Sequence, residues 1–212
     1  MAIAALVLFA LYFAVAFNVR TWLHYRQTGD TGFRGVSGRV GSLEWTGGVL
    51  FVVALVAAVC APILDLAGLP PIAALVSGPI QTTGVALTLI GIVTTFAAQI
   101  RMGTNWRVGV DEDEATDLVT TGPFALVRNP IFTAMSFTGL GLVLVVPIPV
   151  AVAGLMVLLV ALQLQVRRIE EPYLAHLHGS AWTSYASRVG RFLPSIGTIS
   201  TAESSGSKEG KL

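Results

Sequence analysis

Five long apolar segments constrain this chain more than any other feature of its sequence. They comprise residues 2–19, 45–64, 79–100, 130–146 and 150–166. A helix needs about 20 predominantly apolar residues to cross the hydrocarbon core of a bilayer, with a range of about 17–25. Charged residues make up 12% of the chain, which is about half of the ~25% typical of soluble domains. The sequence therefore predicts an all-α fold, a polytopic membrane bundle with about five transmembrane helices.

The positions of the cations predict the orientation of these helices. All 13 Lys and Arg residues lie in the loop 20–44, in the loop 101–129 or after residue 166. If each apolar segment crosses the membrane, every cation falls on the same side, which the positive-inside rule makes cytoplasmic. A four-span arrangement breaks this partition. We therefore expect an integral membrane protein with its N-terminus outside and its C-terminus in the cytoplasm.

The chain divides into three predicted parts. Residues 1–100 form a three-helix membrane anchor region. Residues 101–194 contain helices four and five, which the proline-bounded turn 147–149 would join as a closely packed helical hairpin, and a cytoplasmic C-terminal segment. Residues 195–212 are rich in Ser, Gly and Thr and are predicted to be a disordered tail.

A polar-to-apolar junction at residues 118–132 holds the first group of candidate site residues. At its end, Asn129 and Pro130 predict a helix start in which Asn caps the helix and Pro occupies the first turn. The free N–H groups and positive dipole end of such a start also attract anions. The adjacent Arg128 adds a full charge that can hold a carboxylate. The alternative for Arg128 is a simple positive-inside residue at the interface.

Glu170 and Glu171 follow the last apolar segment and form the second group. On an exiting helix they can pair with Arg167 and Arg168 at a spacing of three residues. The alternative is that they join Arg128 in one site, because both groups fall on the same predicted face of the membrane. An anion site beside a cation site would suit a zwitterion that carries an additional positive charge.

Other patterns indicate structure rather than chemistry. His176 and His178 are two residues apart and do not share a helical face, so we predict no metal site. The acidic run Asp111–Glu114 predicts a solvated loop. Gly139-Leu140-Gly141 lies inside an apolar segment, which favours a close contact between helices over a nucleotide motif. The net charge of +1 gives no reason to expect nucleic acid as a partner.

The two groups together resemble a known family. Leu118-Val119-Thr120-Thr121-Gly122-Pro123-Phe124, followed by Val127-Arg128-Asn129-Pro130-Ile131-Phe132, resembles the isoprenylcysteine carboxyl methyltransferases and phospholipid methyltransferases, which are integral membrane enzymes. The glutamate pair with a downstream Tyr185 and the ending Arg191-Phe192-Leu193-Pro194 resembles their second motif. The resemblance covers roughly residues 103–194. Asn129 replaces a histidine of the family pattern, and Phe124 and Phe132 replace tyrosines.

The resemblance implies an S-adenosylmethionine-dependent methyltransferase whose cofactor lies in a cytoplasm-facing pocket without a Rossmann fold. Residues 101–194 would then be the cofactor-binding region. Arg128 and Asn129 would face the methionine carboxylate of the cofactor, and Glu170 or Glu171 would hold its amino group. The remaining cofactor-binding positions implied are Leu118, Val119 and Gly122 on the adenosine side, and Phe124, Phe132 and Tyr185 around it.

The resemblance also implies a lipophilic or lipidated acceptor that enters laterally from the bilayer. Transfer of a methyl group from a sulfonium to a carboxylate neutralises charge, which a dry pocket favours, and such an acceptor needs no general base. We therefore expect a carboxylate acceptor, as in the isoprenylcysteine enzymes. The alternatives are N-methylation of a phospholipid amine and a nicotinamide-dependent membrane reductase of related fold. The sequence identifies neither the acceptor nor the oligomeric state.

Overall fold

The computed structural model describes residues 1–33, 35, 38–108 and 117–200, and within these ranges it is all-helical, with isolated bridges and no strands. The predicted fold class is confirmed for this part of the chain. Its helices are α1 (Ala2–Thr28), α2 (Leu43–Leu66), α3 (Gly78–Met102), α4 (Pro130–Val145), α5 (Pro149–His178) and α6 (Ser180–Ala186). Short 3-10 turns lie at Ala73–Leu75, Gly103–Asn105 and Gly122–Ala125.

Length and composition identify the helices that can cross a membrane. Among the described residues, α1, α2, α5 and α3 with its following turn are long and apolar enough to span a bilayer. Helix α4 has only 16 residues. These helices support an integral membrane protein. The number of five spans and the orientation of the termini stay predictions.

Two helices continue past their apolar segments. The prediction that a polar loop begins at residue 20 was wrong for Arg20–Thr28, because these residues continue α1. The helix ends at Gly29, which adopts a left-handed conformation with a φ of 78°. Helix α5 likewise extends through Glu170 to His178. The length of an apolar segment indicates how much of a helix contacts lipid. It does not indicate where the helix ends, because backbone hydrogen bonding continues as long as the next residues adopt helical dihedral angles. A π-helical segment lies at the point where each helix leaves its apolar part, Ala14–Val19 in α1 and Gln165–Glu170 in α5.

Glycines allow α3 and α4 to pack in very close contact. A Cβ atom added at Gly91 would overlap the Thr138 hydroxyl, and one added at Gly141 would overlap the Thr88 hydroxyl. The predicted close helix contact at Gly141 is thereby confirmed. Helix α4 makes its most extensive contact with α3, and α5 makes its most extensive contact with α2. The contact between α4 and α5 is smaller, so the predicted close hairpin is not confirmed.

The bundle has an apolar end and a polar end. At the apolar end, Ala2, Ala61 and Ile148 belong to one buried cluster, and the Ile72 amide donates a hydrogen bond of 2.7 Å to the Pro147 carbonyl. At the polar end lie the end of α1, the start of α2, the end of α3, the start of α4 and the middle of α5. All of the candidate site residues lie toward this polar end.

Candidate functional site

The two groups of candidate residues meet at the polar end, as predicted. The Nη2 atom of Arg128, just before α4, lies 2.7 Å from the Oε1 atom of Glu171 in α5. The two residues are 43 positions apart in the chain. Glu171 reaches this position because the π-helical segment Gln165–Glu170 carries α5 beyond its apolar part.

Every donor of the Arg128 guanidinium has a partner within the protein. Nε and Nη2 donate to Glu171 Oε1 at 3.1 and 2.7 Å. Nη1 donates to the carbonyls of Ala186 and Val189 at 3.0 and 2.6 Å, and Nη2 also donates to the carbonyl of Gly197 at 3.0 Å. A guanidinium has five N–H groups, so these five bonds leave none for a ligand. The Arg128 side chain is buried, with 1% of its surface exposed.

Glu171 is engaged from its other side by a second arginine. Arg191 Nε donates to both carboxylate oxygens at 2.9 Å, and Arg191 Nη2 donates to Oε2 at 2.7 Å. Arg128, Glu171 and Arg191 therefore form one ion cluster that ties α5 to the chain on either side of it. In the sequence, Arg191 is distinguished only as part of the Arg-Phe-x-Pro ending of the second motif. That motif is the signal that could have indicated its contact with Glu171.

Asn129 does not cap α4 with its side chain, so this detail of the prediction was wrong. Its Nδ2 atom donates instead to the Arg191 carbonyl at 3.2 Å, and its backbone amide donates to the same oxygen at 3.1 Å. Thr133 in the first turn of α4 donates to the Phe192 carbonyl at 2.9 Å. The C-terminal segment offers acceptors that outcompete the local cap, and Asn129 holds this segment in place.

An aromatic cluster lies beside the ion cluster, with the Arg128 guanidinium carbon 5.7 Å from the centre of the Trp182 ring. Trp182 and Tyr185 of α6 are buried, with Leu118 packed against them. The Tyr185 hydroxyl donates to the Phe124 carbonyl at 2.6 Å. Burial raises the pKa of Tyr185 to about 12, an effect that the Arg128 charge partly opposes. Tyr185 is therefore a neutral hydrogen-bond donor at physiological pH.

The remaining predicted cofactor-binding residues have different surroundings. Val119 is half-buried and Gly122 is exposed. Gly122 adopts a φ of 64° beside the aliphatic part of the Arg101 side chain. Phe132 packs into the core of the bundle, against a buried cluster that includes Tyr12 and Met135. The structure thus brings together Leu118, Phe124, Arg128, Asn129, Glu171 and Tyr185, and sets Phe132 apart from them.

Glu170 differs from its neighbour. It is half-buried, and within the described residues its carboxylate accepts a single hydrogen bond, from Gln165 Nε2 at 3.4 Å. The Arg107 guanidinium lies 5.4 Å from the centre of the ring of Tyr173, three residues further along α5. Within the described residues, Glu170 therefore has fewer hydrogen-bond partners than Glu171.

The segment from residue 195 onward was predicted to be a disordered tail. Its first part contributes to the site, since the Ile196 carbonyl accepts a bond of 2.7 Å from the Arg191 amide, and the Ile199 amide donates to the Ala186 carbonyl at 3.1 Å. Residues 201–212 lie outside the described residues, as does the acidic run Asp111–Glu114.

The fold and the site place this protein in the class of polytopic helical membrane proteins that have a polar site at one end of the bundle. The family described as phospholipid methyltransferase matches residues 80–181, from α3 into α6. This match confirms the resemblance to the integral membrane methyltransferases, and it includes Arg128, Glu170 and Glu171. No curated protein matches the chain significantly. The family match supports a membrane-bound methyltransferase.

Proposed function

We propose that this protein transfers a methyl group from S-adenosylmethionine to a lipophilic acceptor in the membrane. The observation that carries the proposal is the contact of 2.7 Å between Arg128 and Glu171, which joins the two motif-bearing segments into one site. The family match over residues 80–181 supports the same reaction class.

Glu170 is the residue that we assign to the amino group of the cofactor. The resemblance left Glu170 and Glu171 as alternatives, and Glu171 already accepts bonds from two arginines. A carboxylate has about four lone-pair positions, of which Glu170 uses one within the described residues. Glu170 can therefore take an ammonium group without breaking an ion pair.

Arg128 and Asn129 act mainly as positioning residues in this proposal. Both hold the C-terminal segment against the start of α4, and Arg128 has no donor left for a ligand carboxylate. A direct role of Arg128 toward the cofactor carboxylate would first require Glu171 to release it. Leu118, Val119 and Gly122 remain the proposed adenosine side, with Phe124 and Tyr185 fixing the turn that follows them.

The cofactor supplies a methyl group on a sulfonium, and the protein supplies position and a site shielded from water. We propose a carboxylate acceptor, to which a cofactor held by Glu170 would supply its methyl group. No proton has to be removed in this reaction. The family description favours a phospholipid as the second candidate, and an amine acceptor would additionally need a general base.

Isothermal titration calorimetry on protein purified in a neutral detergent tests the cofactor assignment. We expect saturable binding of S-adenosylhomocysteine, and a loss of about tenfold or more in affinity for Glu170→Gln, which removes a charge-assisted hydrogen bond. Asp65→Asn, a half-buried carboxylate at the other end of the bundle, is the matched control and should bind as the wild type does. Binding of NADPH without S-adenosylhomocysteine would contradict the proposal and favour a reductase.

A further inference from the structure

Arg20 is the most buried charged residue outside the site described above. It lies on α1 at the polar end, with 1% of its surface exposed. Its Nη2 atom donates to the Gly103 carbonyl, and its guanidinium carbon lies 4.7 Å from the centre of the Trp106 ring. Its Nε and Nη1 atoms are buried and have no hydrogen-bond partner among the described residues. A buried cation with unused donors therefore lies between α1 and the segment that follows α3.

Two further buried polar atoms lie on α3, on the side of Gln99 that faces α1. Gln99 donates through Nε2 to the Ala16 carbonyl at 2.9 Å, while its Oε1 atom is buried and has no partner in the described part of the chain. The same holds for the Thr95 hydroxyl, one turn earlier, within the described residues. Buried polar groups are almost always hydrogen-bonded in proteins. A concentration of such groups at one helix interface points to a ligand that supplies the missing partners.

The missing partner of Arg20 is an anion. Leaving a buried charge unpaired is costly, and among the described residues no carboxylate forms an ion pair with Arg20. The Gln99 carbonyl oxygen additionally requires a donor, which an amide or hydroxyl beside the anion would provide.

An apolar cavity that reaches Tyr12 of α1 offers a place for a hydrophobic tail. The cavity has a volume of about 60 Å³ and is lined by residues of α1, α2, α4 and α5, including Tyr12 and Met135. Tyr12, Ala16 and Arg20 follow one another along the buried face of α1. Arg20 follows Tyr12 by eight positions, which corresponds to about 12 Å of helix. A lipid chain along this face would place its headgroup at Arg20.

Two neighbouring residues, Trp106 and Arg107, connect Arg20 to the helix that carries the two glutamates. Trp106 stacks on Arg20, and the next residue, Arg107, stacks on Tyr173. Tyr173 lies within a turn of Glu170 and Glu171 on α5. A single dipeptide therefore separates the Arg20 side chain from the helix that carries the glutamates.

We propose that Arg20, with Gln99 and Thr95, binds the anionic headgroup of the lipophilic acceptor while its chain extends toward the apolar cavity. This inference rests on the proposed function, and it assigns the acceptor to the anionic lipids. Arg20 would select the acceptor by charge, and Gln99 would select a donor group next to that charge.

Binding of N-myristoylglycine tests the proposal, because this probe joins a carboxylate, an amide and an acyl chain. Calorimetry in a neutral detergent should give an affinity at least about tenfold higher than for its uncharged methyl ester. We expect Arg20→Gln to abolish this preference and Arg20→Lys to retain part of it. Arg26→Gln, which removes an exposed cation from the same helix, should bind both probes as the wild type does.

A folded Arg20→Gln variant that keeps the wild-type preference would overturn the proposal. Equally tight binding of N-acetylglycine, which lacks the acyl chain, would overturn it in favour of a site for small free anions. If Arg20→Gln does not fold, Gln99→Leu serves instead. We expect Gln99→Leu to lose the preference for N-myristoylglycine over myristate, which has no amide, and an unchanged preference would count against the headgroup site.

Titration of the same samples with S-adenosylhomocysteine separates this inference from the proposed function. Charge-selective probe binding without cofactor binding would retain the Arg20 site and refute the methyltransferase assignment. Cofactor binding without charge-selective probe binding would retain the methyltransferase assignment and refute the Arg20 site.

Discussion

At the scale of single residues, Arg128 is held by five hydrogen bonds that reach four different parts of the C-terminal region. Its position beside a helix start suggested a ligand-binding cation, whereas its geometry makes it a structural centre. The planar guanidinium fits this role because its donors point in several fixed directions. The same geometry predicts that substitutions here act first on stability.

Arg128→Lys keeps the charge and should nevertheless destabilise the protein strongly. A lysine has three donors on one atom and cannot reach Glu171 and the three carbonyls together. Breaking a buried ion pair costs about 3–5 kcal/mol, so we expect a markedly lower thermal midpoint in detergent. Arg167→Gln, which alters an exposed arginine of the same membrane face, should leave the midpoint nearly unchanged. Equal midpoints for Arg128→Lys and wild type would disprove the structural role.

Tyr185→Phe removes the hydroxyl that donates to the Phe124 carbonyl at 2.6 Å. Loss of this bond should cost about 1–3 kcal/mol, since a buried acceptor is left unsatisfied. The pKa of Tyr185 is raised from 10.0 to about 12, so the folded state favours the neutral phenol. The resulting stabilisation is complete below pH 10 and declines as the pH rises from 10 to 12. Chemical unfolding across this pH range should show this decline in the wild type and less of it in Tyr185→Phe.

At the scale of elements, two π-helical segments place the charged residues of the polar end. Ala14–Val19 directly precedes Arg20, and Gln165–Glu170 directly precedes Glu171. An insertion of this kind rotates all later side chains around the helix axis, and such segments are frequent at functional sites. The spacing of apolar residues in the sequence does not predict this rotation. Sequence reasoning therefore identified the glutamates but missed Arg20.

The close contact between α3 and α4 at Gly91 predicts that a larger residue at this position destabilises the protein. In Gly91→Ala, the new Cβ would meet the Thr138 side chain and the Ala134 carbonyl. Overpacking of this kind costs about 1–3 kcal/mol, and we expect a lower thermal midpoint. Gly78→Ala places a Cβ in open space at the start of the same helix and serves as the control. Similar midpoints for the two variants would show that α3 and α4 can separate without cost.

At the scale of the whole molecule, the apolar and polar ends have different consequences. The apolar end is closed by packing among α1, α2 and the turn before α5. The polar end gathers the ion cluster, the aromatic cluster and Arg20. A lipid acceptor moving within the bilayer and a water-soluble cofactor can meet only near the boundary of the membrane. The position of the site is therefore consistent with the proposed reaction.

The sequence by itself determined the membrane class, the helical fold and the two motifs that meet at the site. These follow from local properties, namely apolar length, helix-start residues and the order of residues in a motif. Only the tertiary structure decided that Glu171 pairs with Arg128 and Arg191, that Asn129 binds the C-terminal segment, and that Arg20 is buried beside Trp106. Electrostatic and hydrogen-bond partners are set by distances of a few ångströms between segments far apart in the chain. Spacing along a sequence does not contain those distances.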